Sequence, residues 1–317
     1  MTHPLSFIWN PSEGIDLGFF LLRYYSLTWV IAFGLGWFIM KKIYDREGES
    51  TEKLDKLFIY TVVATMIGAR LGHVIFYQPE LFKEDPINVF LPFRLNPHFE
   101  FTGFAGLASH GAAIAIILTM IYYSKKVIHR PILWMLDRVV IPVTSGGIFI
   151  RLGNFVNSEI LGKETTVDVP TAIKFIRGED HLGKSEVIRL TGEQDYNKAY
   201  EILEHNPQNN PEIAQALASI PYRHPAQLYE AFCYIFVFAI IYYMYWKTDA
   251  RKQHGLIFGV FLVLLWTVRF GVEFVKQSQG GFEGKDPLLL TGQWLSIPFI
   301  LVGLYLIFTA KKRTETL

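Results

Sequence analysis

Charged and amide side chains interrupt several long apolar stretches of this chain, and many of them come in pairs. The pairs are Arg70 with His73, Arg151 with Asn154, and Arg269 with Glu273. The two members of each pair are three or four residues apart, so each pair would share one face of a helix. Because the planar guanidinium of arginine forms two parallel hydrogen bonds with a phosphate or a carboxylate, these positions indicate anion binding.

The helices that must carry these pairs are long enough to cross a bilayer. Hydrophobic residues make up 51% and charged residues 19% of the 317 residues, whereas a soluble domain has about 25% charged residues. A spanning helix needs about 20 mostly apolar residues. Seven segments meet this length, at about residues 17–40, 57–77, 105–124, 132–153, 227–246, 256–276 and 290–310. We therefore expect an all-α integral membrane protein with seven transmembrane helices, in one polytopic domain over residues 1–317.

The distribution of lysine and arginine predicts how these helices are oriented. The loops after spans one, three and five and the C-terminal tail hold five, three, three and three basic residues. Basic loops stay in the cytoplasm, so we expect the N-terminus outside and the C-terminus inside. The charged segment 163–226 then forms an extracytoplasmic head insertion between spans four and five, either a small domain or a loosely packed cap.

This orientation brings the polar residues of different spans to one depth, in the outer half of the membrane. They are Arg23, Tyr25, Arg70, His73, His110, Arg151, Asn154, Glu230, Arg269, Glu273 and Gln293. A charged side chain in hydrocarbon is costly, so each one is a functional hypothesis. Four arginines and two histidines against two acids predict a positive chamber that binds the phosphate of an anionic phospholipid.

Simpler interpretations exist for single residues. Arg70 alone is compatible with a structural ion pair, and Arg269 with a self-contained bridge to Glu273. Arg23, near the end of its helix, is compatible with snorkelling to the interface. These separate explanations do not account for the common depth of so many polar residues.

Composition excludes other classes of protein. A net charge of +1, from 30 basic and 29 acidic residues, is unlike that of a nucleic-acid-binding protein, so no nucleic acid is expected as a partner. The single cysteine, Cys233, excludes an internal disulfide and a cysteine-based metal cluster, and we assign it to packing in span five. Asp137 and Arg138, at the inner end of span four, are interpreted as interface anchors.

Six sequence blocks resemble, in order, those of one family of bacterial membrane enzymes, the prolipoprotein diacylglyceryl transferases. The blocks are GARLGHVIFY (68–77), SHGA (109–112), IRLGNFVNSEILG (150–162), RHPAQLYEA (223–231), VRFGVEF (268–274) and GQWLSIP (292–298). The resemblance covers essentially the whole chain, and it is most specific in the third and fourth blocks.

The resemblance implies a seven-span enzyme of the bacterial inner membrane with its active site facing the periplasm. Such an enzyme transfers the diacylglyceryl group of phosphatidylglycerol to the lipobox cysteine thiol of a preprolipoprotein. A thioether forms and glycerol 1-phosphate is released, as the first step of lipoprotein maturation. The implied partners are phosphatidylglycerol, lipobox-containing preprolipoproteins and the bilayer, and the resemblance implies no metal and no organic cofactor.

Site residues follow from the resemblance only where its motifs match. It implies that Arg151 and Arg269 hold the donor phosphate and stabilise the charge that develops as glycerol phosphate leaves. His110 matches a central histidine, which either accepts the thiol proton or donates to the headgroup while another residue is the base. Tyr25 matches a tyrosine that hydrogen-bonds the substrates, and these four residues are the predicted catalytic set.

The remaining predicted residues bind lipid or support the catalytic set. Arg70 and Asn154 are predicted to bind phosphatidylglycerol with the two arginines, and Glu273 to orient Arg269. The predicted supporting residues are Asn157, Glu159, Gly162, Glu230 and Glu273.

The chain departs from the family pattern at a few positions. Ala112 replaces a glycine after the histidine, Ile150 replaces the glycine before the signature arginine, and Lys276 stands where the family has arginine. No departure removes a candidate catalytic group. A lipid transporter is the main alternative, but the chain shows neither an internal repeat nor broken midplane helices. A seven-helix receptor would need a signalling surface, whereas the inner loops are short and merely basic.

Overall fold

The computed structural model describes residues 7–18, 21–90, 93–94, 100–101, 106, 108–178, 182–205, 210–278 and 288–314. The helices are α1 Tyr24–Glu47, α2 Thr51–Tyr77, α3 Leu81–Glu84, α4 Pro86–Phe90, α5 Ser109–Tyr123, α6 Ile132–Val156, α7 Lys184–Thr191, α8 Tyr196–His205, α9 Pro211–Ser219, α10 Ala226–Lys247, α11 Leu256–Val272 and α12 Thr291–Thr309. The strands are β1 Phe7–Trp9, β2 Gly14–Asp16, β3 Leu21–Arg23, β4 Phe93–Arg94, β5 Glu100–Phe101, β6 Glu164–Thr165, β7 Ile173–Phe175 and β8 Tyr222–Arg223. A π-helix, Ser124–Ile128, continues α5, and 3-10 turns occupy Asp249–Lys252 and Ala310–Arg313.

Six helical stretches among the described residues are long and apolar enough to cross a membrane, as expected of a helical membrane protein. They are Tyr24–Glu47, Thr51–Tyr77, His110–Ile128, Ile132–Val156, Ala226–Lys247 and Thr291–Arg313. Each overlaps a predicted span. The remaining predicted span, 256–276, coincides with α11, which is apolar but has only 17 residues. Seven spans and their orientation therefore stay a prediction.

The first predicted span differs from the observed helix at its start. Gly14–Asp16 pairs antiparallel with Leu21–Arg23, so the helix begins only at Tyr24. Arg23 consequently lies in a strand rather than early in the helix, with an exposed side chain 3.9 Å from the Glu13 carboxylate. Residues 19–20 of the first predicted span, and residues 105 and 107 of the third, lie outside the described residues.

The chain divides into two compact units, Trp37–Val139 and Met1–Gly36 with Val140–Leu317. In the first, α2 and α5 touch through small residues. A Cβ on Gly68 would lie 2.4 Å from the Ala115 Cβ, and one on Gly72 would lie 2.6 Å from the Gly111 Cα. Such backbone contact is how membrane helices associate without a hydrophobic driving force.

Buried charged residues lie near the start of α6 in this unit. Asp137 and Arg138 are 0% and 1% exposed, and Arg138 pairs with Glu47 at 3.0 Å while its guanidinium lies over the Trp134 ring. The interpretation of Asp137 and Arg138 as interface anchors is therefore wrong, because both side chains are enclosed by protein.

The second unit contains the segment predicted as a head, whose residues 179–181 and 206–209 lie outside the described part. Strand β7 pairs in parallel with β1 and antiparallel with β8, and β8 pairs antiparallel with β6. Helices α7, α8 and α9 bury their apolar faces in a common core that includes Val187, Leu203 and Ile213. The described part of 163–226 thus has a hydrophobic core of its own.

Candidate active site

Helix α6 places the signature arginine, and a glycine two residues later sets the distance to α1. A Cβ on Gly153 would lie 2.4 Å from the Thr28 Oγ1 and 3.0 Å from the Tyr25 Cδ2. Only a residue without a side chain lets α1 approach α6 this closely. The close contact brings Tyr25 to the helix that carries Arg151 and Asn154.

A single buried carboxylate, that of Glu230 on α10, joins the two predicted phosphate-binding arginines. Glu230 is 2% exposed. Its Oε2 lies 2.5 Å from the Arg151 Nε, and its Oε1 lies 3.7 Å from the Arg269 Nη1. Arginines from α6 and α11, far apart in sequence, therefore meet at one acidic group.

Further hydrogen bonds extend from Arg151 along the signature block. Its Nη1 donates to the Asn154 Oδ1 at 3.3 Å, and the Asn154 Nδ2 donates to the Glu159 Oε1 at 2.6 Å. Asn154 is buried, so its amide is fixed by a donor and an acceptor of its own chain. Asn154 thereby connects the Glu159 carboxylate to the Arg151 guanidinium.

A strained turn holds Glu159 in place. Ser158 and Ile160 have φ angles of 53° and 59°, in the left-handed region, which costs a residue other than glycine about 1–3 kcal/mol. The amide of Gln227, fully buried on α10, donates to the Glu159 carbonyl at 2.6 Å. The surrounding structure thus maintains a conformation that the turn would not adopt alone.

Arg151, Asn154 and Arg269 line a cavity of about 410 Å³. The polar residues that line it are Tyr25, Thr144, Arg151, Asn154, Tyr234 and Arg269. The apolar residues that line it include Phe261, Leu265 and Trp266 of α11. A cavity lined by both polar and apolar side chains suits an amphipathic ligand such as a phospholipid.

The charge at the cavity is positive. Arg151 and Arg269 contribute two positive charges and Glu230 one negative charge, a net charge of +1 for these three side chains. One phosphodiester group carries a single negative charge and would neutralise it. Guanidinium groups suit this ligand because their donors match phosphate oxygens in pairs.

A comparison of the sequence with family models decides the family. The model for prolipoprotein diacylglyceryl transferases matches residues 13–309. The chain belongs to this family. The resemblance drawn from the six sequence blocks is confirmed.

Relatives in the prolipoprotein diacylglyceryl transferase family match over nearly the full length. A phosphatidylglycerol–prolipoprotein diacylglyceryl transferase of Porphyromonas gingivalis is 35% identical, over 100% of this chain and 99% of its own. One of Tolumonas auensis is 33% identical, over 96% and 97%. One of Chloroherpeton thalassium is 32% identical, over 97% and 95%.

Two of the family motif residues, Gly162 and Asn157, do not line the cavity. Gly162 approaches the RHPAQLYE block so closely that a Cβ there would lie 2.3 Å from the His224 carbonyl oxygen. Asn157 is exposed, and within the described residues its side chain forms no hydrogen bond. Of the positions that depart from the family pattern, Ile150 lines the cavity and Lys276 is buried, with its backbone bridged to Gly162.

Glu273 lies near Arg269 without pairing with it. Among the described residues the ion pair of Arg269 is with Glu230, so the self-contained bridge from Arg269 to Glu273 is not formed. The Glu273 carboxylate instead lies against the start of α12, where a Cβ on Gly292 would be 2.5 Å from its Oε2. The positive end of that helix favours a carboxylate there.

His110 and Arg70 belong to the other compact unit. Arg70 is buried within it, whereas His110 is exposed and its ring centroid lies 5.1 Å from that of Phe76 and 6.0 Å from that of Tyr77. His73 contacts the same tyrosine, with ring centroids 5.4 Å apart. That these residues act together with Arg151 and Arg269 remains a prediction.

Tyr234 is a residue of the candidate site that the sequence did not predict. It lines the cavity together with Arg269. Its position four residues after Glu230, on the same face of α10, is the sequence feature that could have indicated it. This feature does not distinguish Tyr234, because α10 is rich in aromatic residues along its whole length.

Proposed function

We propose that this chain transfers the diacylglyceryl group of phosphatidylglycerol to the lipobox cysteine of a preprolipoprotein. Family membership supports this reaction, and so do the relatives that carry its name over the full chain length. The observation that carries the proposal is the pair of arginines held by Glu230 at an amphipathic cavity.

In the proposed reaction, the cysteine sulfur attacks the lipid glycerol carbon that bears the phosphate. A carbon–sulfur bond forms, the carbon–oxygen bond to the phosphate breaks, and glycerol 1-phosphate departs. The phosphate changes from a diester with one negative charge to a monoester with up to two. Arg151 and Arg269 stabilise this added charge, which makes their contribution larger in the transition state than in the bound lipid.

The thiol must lose its proton before or during the attack, because the thiolate is the nucleophile. We assign the role of proton acceptor to His110, since a neutral imidazole has one nitrogen that can accept a proton. Tyr25 would hydrogen-bond the substrates from α1, and Arg70 would add a cation to the phosphatidylglycerol site. In this proposal the supporting residues maintain the geometry of the arginine pair without contacting the reacting atoms.

The proposed setting is the bacterial inner membrane, with seven spans and the N-terminus outside. In this orientation the cavity lies toward the periplasmic side of the membrane, where secreted lipoprotein precursors arrive. The segment 163–226 would lie on the same side as the active site, as an extracytoplasmic head. The basic inner loops support this orientation.

Mass spectrometry of the acceptor peptide tests the reaction itself. Purified protein in detergent is incubated with phosphatidylglycerol and a peptide that contains a lipobox. We expect the peptide to gain the mass of one diacylglyceryl group, and a peptide with serine in place of the cysteine to gain nothing. If the protein binds the lipid but modifies no cysteine peptide, the transferase proposal is wrong and lipid transport becomes the better account.

A further inference from the structure

Tyr234 lines the same cavity as Arg151 and Arg269. It lies one helical turn after Glu230 on α10 and is 5% exposed. A Cβ on Gly147 of α6 would lie 3.5 Å from the Tyr234 Cδ2, so the ring packs closely against the backbone of that helix. The same residues, Gly147, Tyr234 and Arg269, line the cavity.

Beside Arg269 in the cavity lining, the hydroxyl of Tyr234 has a proton to donate. The Arg269 guanidinium cannot accept this proton, because it has hydrogen-bond donors only. Within the described residues no protein oxygen accepts it, although a buried hydroxyl is normally satisfied.

We propose that Tyr234 donates this proton, as a hydrogen bond, to a phosphate oxygen of the bound lipid, beside Arg151 and Arg269. The inference rests on the proposed function, because it assumes an anionic headgroup in the cavity. A phenol adds a donor without adding a charge, so the site keeps the net charge of +1 that matches one phosphodiester. The bond strengthens as the phosphate becomes a monoester, and Tyr234 therefore contributes to the rate as well as to binding.

The Tyr234→Phe variant tests this inference, because it removes the hydroxyl and keeps the ring. Tyr243→Phe is the matched control, since that tyrosine lies on the same helix and is 60% exposed. We expect Tyr234→Phe to lower kcat/KM for phosphatidylglycerol by about 10-fold to 100-fold, the usual effect of losing a hydrogen bond to a charged group. Inhibition by glycerol 1-phosphate should weaken by a similar factor, with the KM for the lipobox peptide unchanged. Tyr243→Phe should match the wild type.

Two further measurements separate a direct contact from an effect through Arg269. Unchanged thermal stability of Tyr234→Phe in detergent excludes general unfolding. In an Arg269→Ala background, Tyr234→Phe should still weaken glycerol 1-phosphate binding at least threefold, as expected if the hydroxyl touches the ligand itself. No further weakening in that background, or inhibition by glycerol 1-phosphate unchanged in the single variant, overturns the inference.

The inference and the proposed function can fail separately. If the wild-type protein does not modify the cysteine peptide, the transferase proposal fails. The affinity of each variant for phosphatidylglycerol, measured by titrating the lipid in mixed micelles, still decides the role of Tyr234. Equal lipid affinity for the wild type and Tyr234→Phe contradicts that role.

Discussion

Glu230 contacts its two arginines at different distances. The contact to Arg151 is 2.5 Å, and the Arg151 side chain is 14% exposed. The contact to Arg269 is 3.7 Å, and the Arg269 side chain is 27% exposed. Arg151 is also bonded to Asn154, so it is the fixed member of the pair. Arg269 retains more freedom to turn toward an incoming phosphate.

Removal of the Glu230 carboxylate should show how strongly Arg151 and Arg269 repel each other. We predict that Glu230→Gln lowers the free energy of unfolding by about 3–5 kcal/mol, the usual cost of leaving a buried charge without its partner. Added phosphatidylglycerol should raise the melting temperature of the variant more than that of the wild type, because its phosphate replaces the missing carboxylate. Thermal unfolding in detergent, with and without the lipid, measures both effects.

Glu212→Gln is the control for this variant, since Glu212 forms an exposed ion pair with Arg189. It should change stability by no more than about 0.5 kcal/mol. A Glu230→Gln protein that is as stable as the wild type, and that responds to lipid no more strongly, contradicts the role assigned to Glu230.

At the residue scale the sequence predicted the arginines better than their partners. Arg151 and Arg269 were predictable because a charge inside an apolar helix is costly and rare. Glu230 was predicted only as a supporting residue, since several basic residues at the same depth were equally good partners for it. Tyr234 was not predicted at all, because tyrosine is common in membrane helices without any function.

The crossing of α1 and α6 depends on one glycine. We predict that Gly153→Ala lowers the free energy of unfolding by about 1–3 kcal/mol and lowers activity, because the new methyl group collides with Thr28 and displaces Tyr25. Thr28→Ala should partly restore both. Thermal unfolding and transfer assays on the single and double variants measure this.

Gly34→Ala in α1 is the matched control, since a Cβ there meets nothing within 4 Å. It should be neutral or stabilising, because alanine favours the helix by up to about 1 kcal/mol over glycine. Equal destabilisation by Gly34→Ala and Gly153→Ala would mean that the close contact of the helices has no special importance.

The turn after α6 stores strain that a single substitution can release. Ser158 has a positive φ, and its buried Oγ has no hydrogen-bond partner among the described residues. We predict that Ser158→Gly raises the free energy of unfolding by about 1 kcal/mol, since glycine tolerates this φ and removes the unsatisfied hydroxyl. Thermal unfolding in detergent gives the sign.

Ser145→Gly makes the same change inside α6, where the hydroxyl donates to the Pro142 carbonyl at 2.9 Å. It should destabilise by about 1 kcal/mol or more, because glycine weakens a helix interior and the hydrogen bond is lost. A loss of stability in both variants would show that Ser158 is not strained.

At the element scale the long helices were predictable from apolar length, and the short elements were not. The hairpin of Gly14–Asp16 with Leu21–Arg23 lies in an apolar sequence that predicts the start of a helix. Ser158 and Ile160 give no sign of positive φ, because that conformation is typical of glycine and asparagine. Tertiary contacts, such as the bond from Gln227 to the Glu159 carbonyl, impose it.

For the whole molecule, the positive-inside distribution predicts which surfaces a reagent can reach. In a Cys233→Ala background, we predict that Lys198→Cys in the head reacts with a membrane-impermeant maleimide on intact spheroplasts. Lys125→Cys, in the basic π-helical turn, should react only after lysis. Both positions are exposed, so accessibility across the membrane is the variable that is tested. The opposite labelling pattern would reverse the proposed orientation.

In the proposed reaction Arg151 and Arg269 together hold the phosphate that leaves. Glycerol 1-phosphate release, measured with phosphatidylglycerol and a lipobox peptide, tests it most directly in Arg151→Ala, Arg269→Ala and Arg189→Ala. The last variant removes an exposed arginine of the head as the control. We predict a loss of about 100-fold or more in each of the first two, no change in the control, and no release when serine replaces the peptide cysteine. Release that survives the loss of either cavity arginine would contradict the account.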